Sequence, residues 1–421
     1  MKNKNSQLTK LPLIAICLLL PLGTPSFAEE PSAIDEEIER MATAEPKEPM
    51  QPRGSEGSSN TSYGTDALVS KSSGERNSAF GKSALRRNTT GTRNTAIGHA
   101  TLSATKTGDR NTAVGNCALG SLTRGDKNTA VGNAAMCITK KGTGNSAFGQ
   151  GALDATNADW NSGFGAFALN KNTTGYENTA VGTYSLLNNT KGYYNNAIGR
   201  SALDGNTTGH RNAALGSFSL MKNKTGQRNT AVGHAAMYYN TKGQYNTALG
   251  VEALSNNTTG KFNTALGSLA GSKNKTGSSN VFIGYKAGLK EKGSQKLYIA
   301  NSSKSPLVYG DFNKKTLKVN GKMYATKFIT SSDARLKTDI RALNNALDTV
   351  LKLQGKHYRL TDESVDQTDI GLIAQDVEKV LPQIVSQSED GYKAIAYQSL
   401  TAVLIEAIKE QQGQFTAEIT T

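Results

Sequence analysis

Ser332 and Lys337 are the pair whose types and spacing could do covalent chemistry. A serine hydroxyl needs a base beside it before it reacts. A lysine amine can serve once it is desolvated, and Leu336 and Ile340 offer an apolar setting. Alone, a serine five residues ahead of a lysine reads as a solvent loop, so the surrounding sequence must carry the case. Other chemistry is poorly served. The 421 residues include 3 Cys and 4 His. So few cysteines exclude a disulfide scaffold and a Cys-rich zinc site. His99, His210, His234 and His357 are too scattered for a His-built centre, so neither metal nor cofactor is expected. Glycan hydrolysis needs paired carboxylates, and Asp154, Asp159, Glu177, Asp204 and Glu252 recur in no pair.

The elements that must position such residues begin with a repeat. An Asn recurs at 60, 77, 94, 111, 128, 145, 161, 178, 195, 212, 229, 246, 263 and 280, at steps of 17 with one step of 16. The consensus is N-T-A-[VIL]-G-x-x-A-L-x-x-N-x-T-G-x-x. Each unit is too short for a helical hairpin and holds two short apolar segments ended by turn residues. That predicts two short strands per coil and a mainly β, 14-coil β-roll or solenoid over 60–288. Asn at position 1 can ladder its amide along the axis, and Gly at positions 5 and 15 permits positive φ at two corners. Positions 3 and 4 face opposite ways. One face must fill the coil; the other, small and apolar along the whole length, would be a liability in a monomer. Side-by-side packing of several chains is expected.

Position 17 aligns Arg76, Arg93, Arg110, Lys127, Trp160, Tyr194, Arg211, Arg228, Tyr245 and Phe262, with Gly144 and Glu177 among them. Stacked, these form a basic and aromatic stripe suited to sulfated or acidic glycans, lipopolysaccharide or a matrix surface. The charge agrees: residues 54–331 hold 33 basic and 12 acidic groups, while 29–53 and 332–421 are acidic. Cys117 and Cys137 fall at positions 7 and 10 of adjacent coils. Three residues of strand span about 10 Å, beyond disulfide reach, so an intrachain bridge is not expected.

The repeat unit resembles the heads of trimeric autotransporter adhesins and, more closely, the Asn-Thr-Gly repeats of tail-fibre-like proteins. That resemblance implies a three-chain parallel β-roll. No segment near the end reads as the membrane barrel of such adhesins, so anchoring by that route is not expected. After a β neck at 289–331, with strands at Lys296–Ala300, Pro306–Gly310, Thr316–Gly321 and Tyr324–Ile329, residues 332–421 turn acidic and helical. The blocks S-D-A-R-L-K (Ser332–Lys337), G-L-I-A-Q-D-V-E (Gly371–Glu378), Leu381-Pro382 and Y-Q-S-L-T-A-V-L-I-E-A-I-K (Tyr397–Lys409) resemble the intramolecular chaperone auto-processing domain of endosialidases and tail spikes. The resemblance implies an α+β domain that drives homotrimer assembly and then cuts itself off, with Ser332 as nucleophile and Lys337 as general base. Tyr397–Ala417 is amphipathic and predicts a coiled-coil-like helix.

Met1–Lys10 is basic, Leu11–Gly23 is an apolar run, and Ser26-Phe27-Ala28 gives a cleavage site: an export signal over 1–28. Residues 29–59 read as a disordered acidic linker. No later stretch is long enough to span a membrane as a helix, and nucleic acid is not an expected partner of an exported chain. The sequence therefore points to an exported homotrimeric fibre that binds a surface and matures by one self-cleavage. A phage tail fibre or spike, or a glycan depolymerase, is the alternative.

Overall fold

The computed structural model describes residues 59–70, 72–361, 368–388 and 391–420. The expected export signal, and all but the last residue of the expected linker, lie outside them. Contacts divide the chain into two units, one ending at Met323 and one starting at Tyr324.

Fourteen three-residue strands, β1 (Thr61–Tyr63) to β14 (Val281–Ile283), occupy positions 2–4 of successive repeats. Each pairs in parallel with the next, one repeat on, as in Thr179↔Asn196 and Ala180↔Ala197. The chain is thus mainly β, a solenoid of about 14 coils. β15 (Lys296–Ile299) adds a parallel strand, and β16 (Val308–Asp311) and β17 (Thr316–Val319) close an antiparallel meander. The expected strand at Tyr324–Ile329 does not form. Tyr324 and Ile329 stand largely in solvent.

Each coil has one strand, where two were expected. The second apolar segment is a run of turns in which positions 7 and 9 take left-handed φ, as at Ser201 (52°) and Leu203 (54°). A left-handed side-chain residue costs roughly 1–2 kcal/mol. Complete burial of Leu203 returns roughly 1.5–3 kcal/mol, which offsets much of the cost of the two left-handed residues.

The turns also overturn the cysteine expectation. Cys137 N–H donates to Ala134 O across such a turn, so positions 7 and 10 are folded back and not strung out along a strand. Cys117 and Cys137 have Cα atoms 5.4 Å apart and form an intrachain disulfide between adjacent coils.

Glycine at position 5 does take positive φ, but position 15 is glycine mainly for a different reason. A Cβ on Gly175 would stand 2.2 Å from Gly192 O. Stacked backbones approach too closely there for a side chain, except in the shortened coil, where Ala158 takes the glycine's place.

The interior is narrow. Position 3 alanines (Ala180, Ala197, Ala214) and position 9 leucines (Leu186, Leu203, Leu220) are fully buried. The small face therefore turns inward and the large one outward, the reverse of the expected small outer flank. Phe80, Ile97, Phe148, Phe164, Ile198, Leu215, Leu249 and Leu266 at position 4 are all exposed. The last coil proves the volume rule. Phe282 replaces alanine at position 3, and its ring fills the space above Gly271 and Gly288, which stand where leucine stands elsewhere.

Two buried amide ladders run along the axis. Asn195 Oδ1 accepts from both N–H and Nδ2 of Asn212 (3.1 Å each), and its own Nδ2 reaches Asn178 Oδ1 and Gly209 O. A second ladder at position 12 links Asn172, Asn189, Asn206, Asn223, Asn240 and Asn257 through Nδ2–Oδ1 bonds of 2.7–2.9 Å. These bonds satisfy polar groups that would otherwise be stranded inside, although Asn257 Oδ1, at the end of the second ladder, is buried without a partner.

The second unit holds helices α1 (Ala346–Leu351), α2 (Ala374–Glu378) and α3 (Leu400–Thr420). It also has two antiparallel pairs, β18 (Lys356–Arg359) with β19 (Thr368–Gly371) and β20 (Val385–Gln387) with β21 (Lys393–Ile395). Its buried cluster is small: Ala346, Val403 and Ala407, flanked by Leu347, Val350 and Leu381. The stretch 370–374, which reads from sequence as a buried strand or a strand-to-helix entry, is the entry: β19 ends at Gly371 and α2 starts at Ala374, with Ile370 exposed. The terminal helix forms as expected. It buries Val403 and Ala407 and leaves Leu404, Ile408, Phe415 and Ile419 in solvent.

Candidate functional site

Asp333 shapes the segment that carries Ser332 and Lys337. Its carboxylate accepts from Arg335 N–H (2.9 Å) and caps a single 3-10 turn at Ala334–Leu336. It also pairs with the Arg335 guanidinium at 2.7 Å, and that pairing holds its carboxyl below the usual carboxylate value. The turn closes with Lys337 N–H on Ala334 O, which carries the lysine back over the serine. Lys337 Nζ donates to Ser332 Oγ at 2.7 Å. Both residues are exposed. Leu336 is 73% exposed and Ile340 69%, so the apolar setting expected from them is not assembled within one chain.

The separated sequence blocks meet around this segment. Thr330 Oγ1 donates to Gln398 Oε1 at 2.8 Å. Tyr397 OH accepts from Leu372 N–H at 2.8 Å, at the entry to α2. Glu410 on α3 accepts from Ala346 and Leu347 N–H, which holds its carboxyl below 4.5 and docks α1 onto α3. Sequence reading missed Glu410. Its signal was an acid that helical spacing could bring to a helix start.

In the solenoid, position 17 forms a continuous outer column, at left-handed φ from Arg76 (61°) to Phe262 (58°). Arg76, Arg93, Arg110 and Lys127 make its exposed basic half. Further along, Arg211 lies over the rings of Tyr193 and Tyr194, and Arg228 over Tyr245, which stacks on Phe262 at 5.1 Å. Sequence reading missed the neighbouring column at position 16. There Tyr176, Tyr193 and His210 stack at 5.0 and 4.6 Å. Burial among these rings pushes His210 below its usual value. Glu177, the acid in the column, raises Tyr194. Asp109, Asp126 and Asp159, also at position 16, turn carboxylate oxygens to backbone N–H groups of the preceding coil. Among the described residues, no cluster of His, Cys, Asp and Glu could hold a metal. No described helix is long and apolar enough to cross a membrane.

Residues 332–386 match the "Chaperone of endosialidase" family. The match begins at Ser332 and takes in both the Lys337 turn and the α2 entry. The chain is also 36% identical over 104 residues to the long tail fiber protein Gp37 of Enterobacteria phage K3, covering 21% of this chain and 8% of that protein. It is 41% identical over 91 residues to Gp37 of Enterobacteria phage M1, covering 20% and 36% respectively. The chain thus spans well under two thirds of the relatives it matches. No solved structure matches it. The chain is tail-fibre-like over about a fifth of its length and carries a C-terminal chaperone domain behind a β-solenoid.

Proposed function

We propose that the chain is an exported, homotrimeric fibre that attaches to an anionic surface. In this reading the domain from Ser332 onward assists trimer folding and is then released by one self-cleavage beside Ser332. The observation that carries the lateral assembly is the position 4 column, a row of large apolar side chains down one flank of the solenoid. Such a row is stable in water only when covered. Three parallel copies about a common axis would cover it with identical residues at every level, because each coil is in register with the next. The exposed row Leu404, Ile408, Phe415 and Ile419 on α3 has the same need and the spacing of a coiled-coil seam.

The same assembly supports the cleavage chemistry. Lys337 donates to Ser332 in the single chain. A general base must instead accept the hydroxyl proton, which needs a neutral amine. Packing of neighbouring copies over Leu336 and Ile340 would remove water and favour that state. Cleavage would then follow trimerisation. The basic and aromatic column at position 17 would supply surface binding. A viral tail fibre is the second reading, favoured by the names of the relatives; the export signal read at the N-terminus favours the first.

Gel mobility tests the processing. Wild type should lose its C-terminal fragment, and Ser332→Ala and Lys337→Arg should each retain it at full length. Lys337→Arg keeps the charge and removes the base. Equal migration of all three would end the self-cleavage reading.

A further inference from the structure

The single slip in the repeat, from Asn145 to Asn161, coincides with two other exceptions. The coil is one residue short after Thr156, and Ala158 supplies to Asn145 Nδ2 the carbonyl that glycine supplies elsewhere. Position 17 of the coil before it is Gly144, and the ring of Trp160 lies against that glycine. A Cβ on Gly144 would stand 2.5 Å from the indole. Trp160 nevertheless stays 57% exposed.

A groove of about 480 Å³ runs beside it, lined by Arg124, Asp126, Lys141, Thr143, Asn157 and Asp159. Thr143 and Asp159, which line the groove, immediately precede Gly144 and Trp160 in the chain. Its lining carries two cations, Arg124 and Lys141, and two carboxylates, Asp126 and Asp159. Asp159 and Asp126 are turned to backbone N–H groups of Thr143 and Asp109, at 2.8 Å each. Asn157 Oδ1 accepts from Lys140 and Lys141 N–H. Arg124 and Lys141 occupy the same repeat position on adjacent coils. Both are exposed, with no side-chain partner among the described residues. The disulfide joins the two coils that carry them, so their spacing is fixed by a covalent tie as well as by the ladder.

We propose that this groove is a discrete binding site for an acidic saccharide, a sulfated or uronic-acid sugar. The sugar's apolar ring face lies on the indole of Trp160, and its anionic group lies between Arg124 and Lys141. The site deepens the surface-binding reading given above and rests on it.

Trp160 is the chain's one tryptophan, so its emission in the full chain reports on this site. A heparin-derived hexasaccharide should shift that emission saturably. Arg124→Ala with Lys141→Ala, both at exposed positions, should weaken the response by roughly tenfold or more with the far-ultraviolet spectrum unchanged. No saturable shift, or a shift indifferent to the two substitutions, overturns the site. So does an equal response to neutral maltohexaose or to a single-stranded hexanucleotide. Retention on immobilised heparin separates the two readings. A retained fibre with silent Trp160 removes this site and leaves the long column; loss of all retention removes both.

Discussion

Asn195 and Glu410 do the same job in two regions, with different consequences. Each side chain accepts from two N–H groups across an element boundary, Asn195 through Oδ1 alone and Glu410 through one carboxylate oxygen for each. Asn195 is fully buried and stands in a ladder that repeats down the solenoid. Glu410 is a single contact between two helices, in a unit whose buried cluster is three residues. The solenoid is therefore complete along its axis and incomplete only on its flank. The C-terminal unit leaves Leu336, Ile340, Ile370, Leu404 and Ile408 in water. One region satisfies itself by repetition within the chain; the other leaves much of its apolar surface in water.

Substitutions can break that contrast. Asn195→Ala would leave the Asn212 N–H without its acceptor, and its Nδ2 with Gly226 O alone, inside a dry wall. The expected loss is about 3–4 kcal/mol, read as a lower denaturation midpoint for the solenoid with the C-terminal unit unmoved. A loss under roughly 1 kcal/mol would mean that the ladder is ornamental.

Replacing Cys117 and Cys137 together by Ser should cost less, about 2 kcal/mol. The two coils remain joined by the strand pair and the amide ladder. Differential scanning calorimetry with and without reductant checks it: reductant should shift the wild type and leave the double variant unmoved.

The smallest effect belongs to Glu410. Its carboxyl is held below the ordinary 4.5 by the Leu347 and Ala346 N–H groups. Its contribution is fully present above that ordinary value and fades as pH falls through the lower folded value. Proteolytic resistance of the C-terminal unit should therefore drop as pH is lowered below 4.5, and Glu410→Gln should flatten that part of the profile.

Much of the solenoid was legible because repetition exposes it. The Asn register, the parallel β coil and the ladder at position 1 follow from spacing alone. The second strand was misread because left-handed leucines such as Leu203 defy local preference, and only the stacked coil makes them worthwhile. The same error hid the Cys117–Cys137 bond. Which of positions 3 and 4 faces inward depends on the coil's width, which composition does not state. At the candidate site, the block from Ser332 to Lys337 was legible as a motif. The Asp333 cap and the Glu410 clamp were not, because they depend on how short elements meet.

The lateral packing of the flank is tested most directly by native mass spectrometry of the full chain beside a Leu249→Lys, Leu266→Lys variant. Three copies per particle for the wild type and single copies for the variant are the predicted result. Wild-type particles of one chain, indifferent to lysine on the flank, would contradict it.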